Sequence, residues 1–105
     1  MAKIINTAQF KSEVENSKGV IVVDFFATWC GPCKMLAPVF ESLGEEMKDK
    51  AMFAKVDIDE SLELAQQFSI TTVPTVMVFK DGKPVDSLVG FIPKDKLKAL
   101  VTSHI

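Results

Sequence analysis

The segment Val20–Ala27 constrains the fold of this chain more than any other. It reads Val-Ile-Val-Val-Asp-Phe-Phe-Ala, a nearly continuous run of β-branched and aromatic side chains. A strand with one face in water alternates apolar and polar residues, whereas a strand covered on both faces is apolar throughout. We therefore expect a central, deeply buried strand with other elements packed on both of its faces. Asp24 is the one acidic residue in the run.

The first half of the chain alternates between apolar runs and helical patterns, which favours parallel pairing of its strands. In the helical segments apolar residues recur at helical spacing, and Pro32 suits a first helical turn. The predicted elements are a strand at Ile4–Ile5, a helix capped by Asn6 or Thr7 with Phe10 and Val14 inward, the strand Val20–Ala27, a helix from Pro32 to about Asp49, a strand at Met52–Ile58, and a helix capped near Asp59 or Glu60 with Leu62, Ala65 and Phe68 inward. Ile4, Met35 and Met77 are also expected in the core.

The second half predicts an antiparallel hairpin followed by a helix. Asp81-Gly82 separates the apolar runs Thr75–Phe79 and Val85–Val89, and Asp-Gly between such runs is a strong hairpin signal. Pro93 then begins a last helix, with Leu97, Leu100 and Val101 facing the sheet. The chain has 105 residues and contains no linker or internal repeat, so we expect one domain spanning residues 1–105.

Charge and hydropathy exclude several classes of function. The net charge is −2, the 12 basic residues are all lysine, and no basic run offers a surface for phosphate groups. Nucleic acid is therefore not an expected partner. No apolar stretch is long enough to span a membrane, and the first residues lack the apolar region of a secretion signal. We expect a cytoplasmic protein that does not bind membranes.

Both cysteines lie in the segment Trp29-Cys30-Gly31-Pro32-Cys33, where a predicted strand passes into a predicted helix. The unpaired N–H groups of a helix start stabilise a thiolate relative to a thiol, so Cys30 is the candidate for attack on a partner's disulfide. Cys33 lies one turn later and is placed to resolve the mixed disulfide. Gly31 and Pro32 add little bulk between the sulfurs and are expected to tune the redox potential.

Other roles for this cysteine pair remain open on the residues alone. They are a structural disulfide, half of a zinc site, two unrelated buried thiols, or a two-coordinate Cu(I) carrier. Zinc requires four ligands, and the only histidine is His104, next to the end of the chain. Trp29 and Pro32 suit a protein-docking face better than a metal-binding loop. Redox chemistry is therefore favoured, and no bound metal is expected.

The segment Val23–Met35 closely resembles the active-site segment of the thioredoxin family. The likeness extends over the whole chain, through Lys55-Val56-Asp57, Thr72-Val73-Pro74-Thr75, Phe79-Lys80-Asp81-Gly82 and Val89-Gly90 in matching order and spacing. It implies an α/β thioredoxin fold, with a central mixed sheet of about five strands flanked by about four helices.

The resemblance also implies a function. The expected activity is general reduction of protein disulfides by a monomer with no prosthetic group, only the redox-active pair Cys30–Cys33. Its expected electron donor is a separate thioredoxin reductase, either an NADPH-dependent flavoenzyme or a ferredoxin-linked enzyme. A different class of function, a thioredoxin-fold binding subunit whose cysteines are dispensable, remains an alternative.

Asp24 and Lys55 are candidates for proton transfer. A carboxylate buried in an apolar strand requires either a raised pKa or a nearby cation, and Lys55 in the next predicted strand is the candidate cation. The resemblance implies that Asp24 accepts the proton of Cys33 as that thiol attacks the mixed disulfide. The alternative is that Asp24 only satisfies nearby backbone groups.

The resemblance further implies a peptide-docking face. In thioredoxin-like folds the residue corresponding to Pro74 is cis and lies against the cysteines, so the backbone of Val73 is free to pair with a bound peptide. Thr72, Gly90 and Trp29 are assigned to the same face. Phe91 and Ile92 are candidates for extending its apolar rim.

Overall fold

Five strands form one mixed sheet in the computed structural model, which describes residues 2–105. The strands are β1 (Lys3–Ile4), β2 (Val20–Phe26), β3 (Met52–Asp57), β4 (Thr75–Lys80) and β5 (Lys83–Val89). Their order is β1-β3-β2-β4-β5, so β2 lies at the centre, as its composition predicts. β3 is parallel to β1 and β2, whereas β4 is antiparallel to β2 and β5. The predicted parallel first part and antiparallel C-terminal hairpin are confirmed.

The α-helices of the described chain are α1 (Thr7–Phe10), α2 (Gly31–Glu46), α3 (Leu62–Gln67) and α4 (Lys94–Thr102). α1 continues into a π-helical turn at Lys11–Glu15. The predicted cap at the start of α1 is confirmed. The side-chain oxygen of Asn6 accepts the Gln9 N–H at 2.9 Å, and the Gln9 side chain accepts the Asn6 N–H at 2.9 Å. Two backbone donors at the helix start are thereby satisfied.

Alternate residues of β2 enter different apolar layers, because successive side chains of a strand point to opposite faces. Ile21, Val23 and Phe25 pack with residues of α1 and α3, and Val20 and Val22 pack with residues of α2 and α4. The layer shared with α2 and α4 includes Leu36, Phe40, Leu43, Phe53, Val76, Val78, Leu97 and Val101. The layer shared with α1 and α3 includes Phe10, Val14, Val56, Leu64 and Phe79. Helices on both faces thus explain the apolar run.

Two residues that were predicted to lie in the core, one in β1 and one in α2, are exposed. Ile4 points outward from the edge strand β1, and the next residue, Ile5, is buried instead. Met35 is 60% exposed because the buried face of α2 is carried by other positions at helical spacing. Those positions are Cys33, Leu36, Phe40 and Leu43.

The N-cap of α3 is Ser61, one residue after Glu60, so the predicted start near Asp59 or Glu60 is confirmed. Leu62 is 55% exposed, and the expectation that it faces the core is wrong. Leu64 and Ala65 carry the buried face instead.

The predicted Asp-Gly hairpin turn is confirmed and also contacts a distant loop. Asp81 and Gly82 have φ values of 52° and 85°, the left-handed conformation that a tight hairpin turn requires. The Asp81 N–H donates to the Gly19 carbonyl at 3.0 Å, and the Gly19 N–H donates to the Asp81 side chain at 2.8 Å. A Cβ at Gly82 would collide with the Glu15 carbonyl. The turn therefore requires glycine for both conformation and space.

Candidate active site

The cysteine pair lies at the junction between the central strand and the longest helix. β2 ends at Phe26, Cys30 is the N-cap of α2, and Cys33 lies in its first turn. The two cysteines form a disulfide with their Cα atoms 5.2 Å apart. The Cys33 N–H donates to Cys30 Sγ at 3.1 Å. The helix start thus directs a backbone donor at the first sulfur, an arrangement that stabilises negative charge there.

Asp24 is a fully buried carboxylate on the same face of the sheet as α2. Strand alternation places it with Val20 and Val22, whose layer α2 covers. Neither side-chain oxygen has a hydrogen-bond partner within residues 2–105. The idea that Asp24 only satisfies backbone groups is therefore wrong. Burial raises the pKa of Asp24 from 3.8 to about 6, and the charge of Lys55 offsets part of that rise.

Lys55 lies next to Asp24 in the sheet but makes no hydrogen bond to it. The two residues are opposite each other in the parallel register of β2 and β3. The Lys55 ammonium instead lies 4.6 Å from the centroid of the Phe26 ring, a cation–π contact. Its influence on Asp24 is therefore attraction through space.

A groove of about 210 Å³ brings Lys55 and Cys33 onto one surface. Its lining combines the buried cysteine with two lysines and small or apolar side chains. It is lined by Phe26, Ala27, Thr28, Cys33, Lys34, Ala37 and Lys55. The second sulfur of the pair is thus approached from the side on which strand alternation also places Asp24 and Lys55.

On another side, Cys30 meets the loop before β4. Cys30 Sγ lies 3.6 Å from the Val73 carbonyl oxygen, and the Val73–Pro74 peptide bond is cis, as the resemblance implied. The hydroxyl of Thr75 donates to the Thr72 carbonyl at 2.6 Å, which holds this loop to the start of β4. Within residues 2–105 the Val73 N–H makes no backbone hydrogen bond. An unpaired N–H beside the redox sulfur is available to a bound chain.

Gly90 closes the same face from the end of β5. Its N–H donates to the Pro74 carbonyl at 2.7 Å, and its φ of 91° favours glycine. Apart from its neighbours in the chain, no atom of residues 2–105 lies within 4 Å of the position a Cβ would occupy, so another backbone can approach closely. Phe91 is exposed, consistent with the predicted rim. Ile92 is buried against the layer of α2 and α4, and its assignment to the rim is wrong.

Trp29 is exposed beside the pair, and its indole N–H donates to the Asp59 carboxylate at 2.9 Å. Ile58 packs against the cysteines. Sequence reasoning assigned neither Ile58 nor Asp59 to the site. A signal was present, because parallel strands end at the same edge of a sheet. Phe26 and Asp57 are register partners at the ends of β2 and β3, so the residues that follow them meet.

Residues 2–105 contain no group of three or more His, Cys, Asp or Glu side chains placed to hold a metal ion. In the same part of the chain, no helix combines the length and apolar character needed to cross a membrane.

Comparisons with known proteins agree with this geometry. The family model described as Thioredoxin matches residues 1–103. Thioredoxin of Bacillus subtilis is 45% identical over 102 residues, covering 97% of this chain and 98% of that protein. Thioredoxin of Staphylococcus aureus is 48% identical over 101 residues, covering 96% and 95%. The crystal structure of Malassezia sympodialis thioredoxin is 43% identical with a TM-score of 0.90, covering 99% of this chain and 90% of that one.

Proposed function

The chain belongs to the thioredoxin family, and from that premise we propose that Cys30 is the attacking thiolate and Cys33 the resolving thiol of its reaction. The protein is a protein-disulfide reductase that uses its own cysteine pair and needs no cofactor. Its substrates are disulfide-containing proteins, and a separate reductase returns the pair to the dithiol form.

One observation carries the assignment of the two sulfurs. Cys30 Sγ accepts the Cys33 N–H at 3.1 Å at the start of a sixteen-residue helix. In the dithiol form the same donor stabilises a Cys30 thiolate. That thiolate attacks one substrate sulfur, forms a mixed disulfide and releases the other substrate sulfur as a thiolate. Cys33 then loses its proton and attacks Cys30 Sγ, which restores the Cys30–Cys33 disulfide and releases the second substrate thiolate.

Asp24 is the proposed acceptor of the Cys33 proton. It lies on the face of the sheet that α2 covers, and Cys33 belongs to the buried face of α2. With a pKa of about 6, Asp24 is ionised at neutral pH yet more basic than an ordinary aspartate. Lys55 moderates that basicity through its positive charge. A base of this strength is suited to accept a proton near neutral pH and release it afterwards.

The loop containing Thr72, Val73 and Pro74 is the proposed docking site for the substrate backbone. The Val73 N–H has no backbone partner among residues 2–105, and together with the nearby Val73 carbonyl it allows a bound chain to pair as a short strand beside Cys30. Open space at Gly90 admits that chain, and Trp29 adds an exposed aromatic surface. Because such pairing contacts the backbone, it supports reduction of many substrate sequences.

We further propose that the protein acts as a monomer of one domain in the cytoplasm, where a reducing electron supply keeps the pair in its dithiol form. The donor is either an NADPH-dependent flavoenzyme or a ferredoxin-linked reductase. Reduction of the purified protein by each enzyme in turn distinguishes the two donors.

Trapping experiments test the roles of the sulfurs. Reduced Cys33→Ser should accumulate a mixed disulfide with insulin, whereas reduced Cys30→Ser should not, because its remaining thiol lacks the helix-start donor. Non-reducing electrophoresis and mass spectrometry detect the adduct, and the Cys30→Ser, Cys33→Ser double variant is the control. An adduct that forms as fast with Cys30→Ser would contradict this assignment, and one that forms only with Cys30→Ser would show that the roles are reversed.

A further inference from the structure

Trp29 is anchored although it is exposed. Its side chain is 69% exposed, immediately before the attacking Cys30. The indole N–H donates to Asp59 Oδ2 at 2.9 Å. An indole in water without a partner samples several rotamers, whereas a hydrogen bond to a carboxylate favours one of them. The ring is therefore held while most of its surface stays available for contact.

The backbone around Asp59, the residue that anchors Trp29, is itself held by hydrogen bonds. The Asp59 N–H donates to Asp57 Oδ1 at 2.9 Å. The N–H of Ile58 donates to the Phe26 carbonyl at 3.0 Å. The first bond holds the turn to the end of β3, and the second attaches it to the end of β2, the strand that leads into the redox motif. The Asp59 carboxylate is thus presented from a constrained backbone.

Asp59 also borders an apolar groove of about 290 Å³ beside α3. Ile58 contributes both to that groove and to the packing around the cysteines. The hydrogen bond from Trp29 to Asp59 therefore connects the ring beside the redox pair to the edge of the groove. A protein substrate is large enough to contact both the Trp29 ring and the groove, whereas a small disulfide contacts only the sulfur of Cys30.

We propose that Asp59 is a positioning residue that holds the Trp29 ring in the orientation used to dock protein substrates. The inference rests on the proposed docking role of Trp29. Ordering a mobile aromatic side chain during binding costs free energy, and a ring ordered in advance avoids that cost. Asp59 acts on the association with protein substrates and leaves the exchange between sulfurs unchanged. Its loss raises KM for a protein disulfide without changing kcat.

The test compares Asp59→Ala, Asp59→Asn and the neighbouring control Glu60→Ala. Trp29 is the only tryptophan and the chain has no tyrosine, so emission anisotropy reports the motion of this ring alone. In reduced Asp59→Ala we expect lower anisotropy and a KM for insulin about threefold higher, the order expected for loss of one exposed hydrogen bond. kcat, the redox potential and the rate with a small aromatic disulfide should not change. Asp59→Asn retains an acceptor oxygen, so its anisotropy and its KM for insulin should stay close to the wild-type values. Glu60→Ala should match the wild type in both measurements.

Unchanged anisotropy or unchanged KM in Asp59→Ala would overturn the proposal. An equal loss of rate with the small disulfide would also overturn it, because the effect would then lie in sulfur chemistry. Trp29→Ala distinguishes the docking role of Trp29 from the positioning role of Asp59. A wild-type KM in Trp29→Ala refutes the docking role of Trp29 itself. A raised KM in Trp29→Ala together with a wild-type KM in Asp59→Ala refutes only the positioning role of Asp59.

Discussion

Replacing Asp24 by asparagine should stabilise the folded protein at neutral pH while impairing its reaction. The side chain is fully buried and neither oxygen has a hydrogen-bond partner in the described chain, residues 2–105. Asparagine has nearly the same shape and occupies the site without a charge. The substitution thus removes the cost of a buried, unpartnered carboxylate and leaves the surrounding packing in place.

The pKa of Asp24 sets the size and the pH range of the effect. Burial raises this pKa from 3.8 to about 6, so the folded state holds a proton over a range in which the unfolded state has lost it. The free energy of unfolding of the wild type therefore falls as pH rises through that range. The full difference corresponds to about 3 kcal/mol, since one pKa unit is about 1.4 kcal/mol. The free energy of unfolding of Asp24→Asn should exceed that of the wild type by roughly that amount above pH 6, and the difference should disappear below pH 3.8.

Urea denaturation of the oxidised proteins at several pH values between 3 and 8, followed by circular dichroism, measures the difference. Near pH 7 the variant should also melt roughly 10–20 °C higher. Asp49→Asn, at an exposed position, is the matched control and should follow the wild type at every pH. A variant less stable than the wild type at pH 7, or one whose advantage is the same at pH 3 and pH 8, would refute the reasoning.

Three further predictions follow from the structure. In single-turnover assays Asp24→Asn should slow release of the reduced substrate on the order of tenfold to a hundredfold, without slowing mixed-disulfide formation. Wild-type release should decline as pH falls below about 6, and the variant should lack that decline; equal release rates would exclude Asp24 as the proton acceptor. Gly82→Ala should lower the free energy of unfolding by about 2 kcal/mol, since φ is 85° and the added Cβ meets a backbone carbonyl. Gly31→Ala is the control because a Cβ there would enter open space, and equal urea midpoints for Gly82→Ala and Gly31→Ala would contradict the prediction. Asn6→Ala should lower the free energy of unfolding by about 1 kcal/mol because it removes the cap of α1, whereas Asn16→Ala, at an exposed position, should leave it unchanged. Equal urea midpoints for these two variants would contradict the capping role of Asn6.

The sequence predicted the positions of strands and helices more reliably than it predicted which of their side chains are buried. The run Val20–Ala27 predicted β2 because an uninterrupted apolar strand is stable only between two covered faces. The misplaced Met35 and Leu62 show the limit. A helical pattern indicates that one face is buried, but a shift of one residue turns a side chain by about 100° around the helix axis. In α3 the buried face is carried by Leu64 and Ala65, and Leu62 is exposed, because the packing of the helix on the sheet decides which face is covered.

The site was likewise predictable where its chemistry is local. The cysteine spacing and the helix start are both properties of one short segment, so Cys30 and Cys33 followed from sequence. The electrostatics of Asp24 did not follow in full. Its neighbour in the sheet, Lys55, was expected from the strand order, but the structure places the ammonium over the Phe26 ring instead of in a hydrogen bond to the carboxylate.

The sequence by itself determined the order of strands and helices, the hairpin at Asp81-Gly82 and the place of the redox pair at a strand-to-helix junction. Each of these depends on interactions within a few residues or on the periodicity of one element. Only the tertiary structure set the contacts of Val73 and Gly90 beside Cys30 and brought Asp59 to Trp29, and only it left the Asp24 carboxylate without a partner within residues 2–105. These contacts join segments that lie far apart along the chain. Their distances are therefore set by how the whole sheet and its helices pack, and no local pattern records them.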